Sequence, residues 1–135
     1  MKKYELTDIT IEQSGVTLYR IRAVRAIKAL GIKKGDLGGY VEKGENLSQS
    51  GAAWISGNAS VSGDADIIWC SKIGSRLDTT TAFIEKDGGV KIVCGCFCGM
   101  LNEFERKVEE THGDNIYGKE YKAFIELIKI HFGKV

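Results

Sequence analysis

The chain has 135 residues, enough for one domain with a real core, and its 19 Lys and Arg against 18 Asp and Glu leave a net charge of +1. That balance excludes a global field able to attract nucleic acid or a membrane surface, and equally excludes a whole-surface mimic of DNA. The opening MKKYELTDITIEQ meets charged side chains before any apolar run of signal-peptide length, and no segment reaches the ~20 apolar residues of a membrane span, so the expected location is the cytoplasm. Four cysteines, three of them in Cys94-Gly95-Cys96-Phe97-Cys98, lack the spread of a secreted disulfide framework and read as reduced thiols.

In chain order, Tyr4 to Ile11 is rich in β-branched residues, Glu12 to Gly15 gives a turn, and Val16 to Ile27 resumes the pattern. A β hairpin is the simplest reading. Ala23 to Leu30 stays open between strand and helix, because its Ala, Lys, Arg and Leu favour helix and Gly31 would end one.

From Gly39 to Ile68 the chain counts in sixes. Val41, Leu47, Ala53, Ala59 and Ala65 occupy one position, Ile55, Val61 and Ile67 follow two residues later, and Gly51, Gly57 and Gly63 precede by two. Small and aliphatic side chains pointing inward at alternate positions, with glycine at a sharp corner, describe a short β-solenoid. A helix would need a 3.6 period; a run of ordinary hairpins is the rival reading. Trp54 falls between two inward positions and is expected to point outward, against another segment or subunit.

Thr79 to Glu85 and Val90 to Phe97 are β-rich runs around Lys86-Asp-Gly-Gly89, a second hairpin. Two helices follow. Leu101 to Thr111 carries a stripe of Leu101, Phe104 and Val108 and stops at His112-Gly113; Tyr117 to Phe132 lines up Tyr117, Tyr121, Phe124, Ile128 and His131 or Phe132. Both stripes are expected to cover the hairpin or the end of the solenoid.

The segments LYRIRAVRAI, KKGDLGGYVEKGENLSQSG and GNASVSGDADI, with the tail CGCFCGMLNEFERKVEETHGDNIYGKEYKAFIELIKIHF, resemble a family of small proteins carried by phages and prophages. The hexads also resemble those of single-stranded left-handed β-helices, the fold of the hexapeptide acyltransferases. What the resemblance implies is an architecture and a viral habitat inside a bacterial host cell, not a reaction.

Candidate chemistry is sparse, and each pattern has a structural rival. An acyltransferase would need a groove and a base that titrates near neutral pH, yet five hexads make fewer than two coils and both histidines, His112 and His131, lie in the tail. On a strand, alternate cysteines stand about 6 to 7 Å apart, too wide for a relaxed disulfide. A zinc site would require the strand to break after Gly95 and a ligand such as His112 to fold back; buried core thiols are the simpler account, and a Cys98–His112 dyad lacks an orienting partner. Arg20, Arg22 and Arg25, followed by Lys28, Lys33 and Lys34, form the one basic concentration, with Arg20 and Arg22 on one strand face able to meet phosphates or an acidic protein patch; a solvated edge strand protected by charge is the simpler account. Glu109 to Asn115 reads as a pair of helix caps.

The expectation is an α+β protein: an N-terminal hairpin or cap over 1–38, a short left-handed β-helix over 39–70, and a hairpin with two helices over 71–135. Open solenoid ends need capping, which points to a homodimer. No cofactor, metal or catalytic residue is expected, and no membrane. The leading function is a non-enzymatic phage accessory protein that binds a host protein, as an inhibitor of a defence system such as a CRISPR effector, with Arg20, Arg22, Arg25 and Trp54 as partner-binding residues. The alternatives are a nucleic-acid or nucleotide binder using the basic strand, and a structural or oligomerisation module.

Overall fold

The computed structural model describes residues 2–49, 52–57, 59–63, 66–85, 87–95 and 97–133. The N-terminal hairpin is present: β1 (Tyr4–Gln13) and β2 (Val16–Ala23) pair antiparallel around Ser14 and Gly15. Both turn residues have positive φ, 52° and 80°, the left-handed conformation that lets a two-residue turn follow the strand twist. The register of β1 shifts between Leu6 and Thr10, where Thr7 Oγ1 donates to the Arg20 carbonyl at 2.8 Å and accepts from the Ile9 amide at 3.2 Å. The ambiguous segment is neither long strand nor α-helix. β2 stops at Ala23, and one 3-10 turn occupies Lys28–Leu30, closed by Gly31 at φ 70°.

β3 (Leu37–Val41) pairs antiparallel with β2 and parallel with the two-residue β4 (Ser60–Val61), giving a four-stranded sheet in the order β1-β2-β3-β4. Among the described residues, the hexads contribute this one parallel pairing, Tyr40↔Ser60 and Val41↔Val61, rather than a ladder of stacked coils. The lap from residue 40 to residue 60 is longer than three hexads, so successive sixes do not stack position on position. Burial nevertheless follows the period. Val41, Leu47, Ala53 and Ala59 of one position, and Ile55, Val61 and Ile67 of the other, are all 4% exposed or less. Ala65 and Gly51 lie outside the described residues.

The second sheet is an antiparallel meander of β5 (Ile67–Ile73), β6 (Asp78–Ile84), β7 (Val90–Cys94) and β8 (Phe97–Met100). It contains the expected hairpin but begins inside the stretch assigned to the solenoid, because Ile67 pairs with Phe83. The single strand read over Val90 to Phe97 is in fact two. Gly95, at φ 56°, reverses the chain so that Phe97 pairs back onto Cys94.

This sheet is covered on both faces, and strand alternation sorts its side chains between two cores. Ile67, Trp69, Phe83 and Val93 join the first sheet in a cluster with Tyr4, Ile21, Val41, Trp54 and Ile55. Their neighbours Ile68, Cys70, Ala82 and Ile92 face the helices instead. Helix α1 (Leu101–Thr111) and helix α2 (Ile116–His131) lay Phe104, Val108, Tyr121, Phe124, Ile125 and Ile128 on that side. The order of layers is therefore sheet, sheet, helices. Asn115 caps α2 by accepting from the Gly118 amide at 2.9 Å, and Gly113 at φ 56° ends α1, so the polar corner does serve as a pair of helix ends. Tyr117, placed on the inner stripe by periodicity, is 39% exposed; Ile125 takes its place. No helix among the described residues is long and apolar enough to cross a membrane.

Candidate functional site

Arg20 and Arg22 do share a face of β2. Cross-strand pairing places Tyr40 beside Arg20, and both Leu37 and Glu5 beside Arg22, so these five residues make one outward patch. Neither guanidinium is wholly free. Arg22 forms an ion pair with Glu5 at 2.9 Å; Arg20 Nε donates to the Gly38 carbonyl at 3.0 Å, with its guanidinium 5.5 Å from the Tyr40 ring centroid. Leu37 is 43% exposed in the same patch, and Leu6 and Ile9 are exposed along edge strand β1.

Arg25 is not part of it. It follows the end of β2, its Nε is buried with no hydrogen-bond partner, and its charge adds to burial in depressing the Lys3 amine. Trp54 is 2% exposed. Its ring lies against Gly38, where a Cβ would stand 2.8 Å from Trp54 Cζ2, and its amide donates to Thr81 Oγ1 at 3.3 Å. The outward position foreseen for it is filled by another segment of the same chain. The second sheet packs over that side of the lap, so of the two contacts expected for Trp54, another segment or a subunit, another segment of the chain is the one present.

Sequence reading missed a second feature. At one end of the helix-covered core, the β5–β6 turn, the Gly95 reversal and the α1–α2 corner enclose a cleft of about 290 Å³. Phe97, Phe104 and Tyr121 form its apolar side, while Arg76, Asp78, Lys107 and His112 supply polar groups. The His112 ring stacks on Tyr121 at 5.7 Å and 23°, and Phe104 meets Tyr121 edge-on at 5.7 Å. Thr80 Oγ1 donates to Cys94 Sγ at 3.2 Å, and the thiol contacts Tyr121 Oη at 3.8 Å. Burial above all, then the neighbouring Cys94, Asp78 and Glu120, push the Tyr121 hydroxyl well above the usual phenol range. It stays a neutral hydrogen-bonding group at every ordinary pH. The available sequence signal was the polar run ending at Asn115, which helix capping accounted for; Arg76 and Asp78, brought in by the opposite turn, carried none.

Cys94 lies on β7, against Tyr121, while Cys98 on β8 is exposed and 3.8 Å from Ser56 Oγ, so the expectation of buried thiols facing the helices does not extend to Cys98. Among the described residues no group of three His, Cys, Asp or Glu side chains is placed to share a metal ion. Cys96 is outside them. No protein-family model matches the chain, and no curated protein or solved structure matches it significantly.

Proposed function

We propose that this chain acts by binding another protein through the outward patch of its N-terminal sheet. The observation that carries this reading is the company the arginines keep. Arg20 and Arg22 stand among Tyr40, Leu37 and Glu5, with part of their hydrogen-bonding capacity already engaged. A patch mixing Arg, Tyr and exposed Leu with an internal carboxylate has the composition of a protein interface; a phosphate-binding row keeps its cations uncompensated. The resemblance to phage-borne proteins makes a host protein the occupant, and a defence effector of the CRISPR type is the class we propose. The parallel lap from β3 to β4 is compatible with an abbreviated left-handed β-helix, whose job in this reading is to space the sheet from the helical tail.

The test is interference by a CRISPR effector in cells expressing the chain, alongside capture of the purified effector. Wild type is expected to inhibit and to bind, and Leu37→Glu with Arg20→Ala to lose both while keeping the wild-type unfolding curve. Salt-sensitive binding to DNA or RNA that those substitutions abolish, with no effector bound, would instead establish the nucleic-acid reading.

A further inference from the structure

Helix α2 has two apolar faces. One carries Tyr121, Phe124, Ile125 and Ile128 into the core. The other is uncovered: Ile116 is 68% exposed, Leu127 47% and Ile130 65%, and Ala123 between them is exposed too. Ile116, Glu120, Ala123, Leu127 and Ile130 repeat at alternating steps of four and three, the spacing that keeps one seam facing a partner helix. Glu120, the polar member, is turned to the core side, where its Oε1 accepts from the Gly74 amide at 3.0 Å.

We infer that this seam pairs with the same seam of a second copy, α2 against α2 antiparallel, with the twofold axis at Ala123. The charges flanking the seam specify the occupant. Lys119 and Glu126 lie along one edge, both exposed, four residues before and three residues after Ala123, so an antiparallel twofold brings each to within one residue, about 1.5 Å along the axis, of the other. Each Lys119 then faces the second copy's Glu126, and each Ile116 meets its Ile130. A parallel twofold would carry the two copies of this edge to opposite sides of the seam and leave these pairs unmade. The small Ala123 at the axis lets the helices approach closely where the two copies cross. One helix per copy is a short seam beside a standard interface of about 800 Å² per partner, so the dimer dissociates at micromolar concentrations.

Sedimentation velocity across about 1 to 200 μM is the direct test, at concentrations bracketing a micromolar dissociation constant. The expected result is a monomer–dimer equilibrium for wild type and a monomer throughout for Leu127→Glu/Ile130→Glu, with circular dichroism and thermal unfolding at low concentration unchanged. Lys119→Glu should weaken association tenfold or more, and the exchanged pair Lys119→Glu/Glu126→Lys should restore it. Ala123→Cys should cross-link to a dimer through residue 123 under mild oxidation, identified by peptide mapping. A wild type monomeric at the highest concentration overturns the proposal and leaves the seam to a different protein. A dimer that survives Leu127→Glu/Ile130→Glu overturns it as well, and failure of the charge exchange or of the residue 123 cross-link overturns the antiparallel register.

Discussion

The ammonium of Lys3 donates to the carbonyl of Ala53, 50 residues further along, from a position fully closed to solvent. The Lys3 amide and the Tyr4 amide both donate to Gln49 Oε1, at 2.7 and 3.1 Å, and Tyr4 Oη reaches the carbonyls of Leu47 and Gly44 at 2.5 and 2.6 Å. Lys3 and the first residue of β1 are thereby strapped to the lap that leads to β4. Burial, and then the like charge of Arg25, lower the Lys3 amine to about 8.

That depression makes stability rise with pH over a defined window. Below pH 8 the amine is protonated in both states and the native state carries a buried charge. Between about 8 and the ordinary 10.5 the folded chain gives up the proton that the unfolded chain keeps, so folding is favoured as pH rises. The full gain is at most on the order of 3 kcal/mol. Tyr4, pushed up to about 12 mainly by burial, works the other way above pH 10, where the unfolded phenol ionises first. Urea unfolding midpoints should therefore rise from pH 7 to 9.5, then fall; Lys3→Met should flatten the rise and keep the fall. Parallel pH profiles for the two proteins would sink the assignment.

The Gly38-Gly39 dipeptide and the hexad glycines Gly57 and Gly63 should respond differently to an added methyl. A Cβ on Gly38 would stand 2.7 Å from the Ile55 carbonyl oxygen and 2.8 Å from both Ile21 and Trp54, and one on Gly39 would stand 2.5 Å from the Ala59 Cβ. Around Gly57 and Gly63 there is nothing within 4 Å. Gly38→Ala and Gly39→Ala should each destabilise by about 1–3 kcal/mol through overpacking. Gly57→Ala and Gly63→Ala should be neutral within about 0.5 kcal/mol. Chemical denaturation of the four variants distinguishes a close approach of backbones from a mere corner.

This contrast bears on how much of the molecule its sequence discloses. Period and turn chemistry carried the N-terminal hairpin, the Lys86–Gly89 hairpin and both helices, because Ser14-Gly15, Gly113 and the Phe104–Val108 stripe act locally. The hexad period also found the right buried residues, Ala53 and Ile55 among them, but not their pairing. Which strand Val41 sits beside depends on the path of the intervening lap, and no local signal encodes that path. The Gly95 reversal was invisible for a related reason: Val90 to Phe97 reads as one β-rich run until Phe97 is seen to pair with Cys94. The cleft was hidden because its polar groups come from turns far apart in sequence. Of the foreseen site residues, Arg20 and Arg22 needed only strand alternation to meet, whereas Trp54 depended on a second sheet packing over it.

Trp54 should therefore report on stability. Trp54→Ala removes one of the largest fully buried side chains from the first core and should cost about 3–5 kcal/mol, whereas loss of an exposed partner contact would leave the unfolding transition in place. Trp54→Phe should retain most of the packing. Thermal unfolding of the two variants at equal concentration checks this; an unchanged transition for Trp54→Ala would return the residue to the surface.

The thiols give a test that reads both cores at once. Cys98 is exposed, while Cys70 and Cys94 are half-buried on the helix side of the second sheet. Alkylation requires thiolate, and burial followed by the nearby Glu120 pushes the Cys70 thiol up, so its reactive form is suppressed in the folded chain. Cys94 is held between the Thr80 hydroxyl and Tyr121. Of Cys70, Cys94 and Cys98, iodoacetamide at neutral pH should modify Cys98 first, with Cys70 and Cys94 following only when denaturant opens the helical layer. The Cys70 rate should also climb through a higher pH than a free thiol, because the folded environment favours its protonated form. Site-resolved mass spectrometry, with fragmentation to separate Cys94 from Cys98, measures the order. Equal native-state rates for Cys94 and Cys98 would mean that α2 does not hold Tyr121 over the end of β7 as the structure places it.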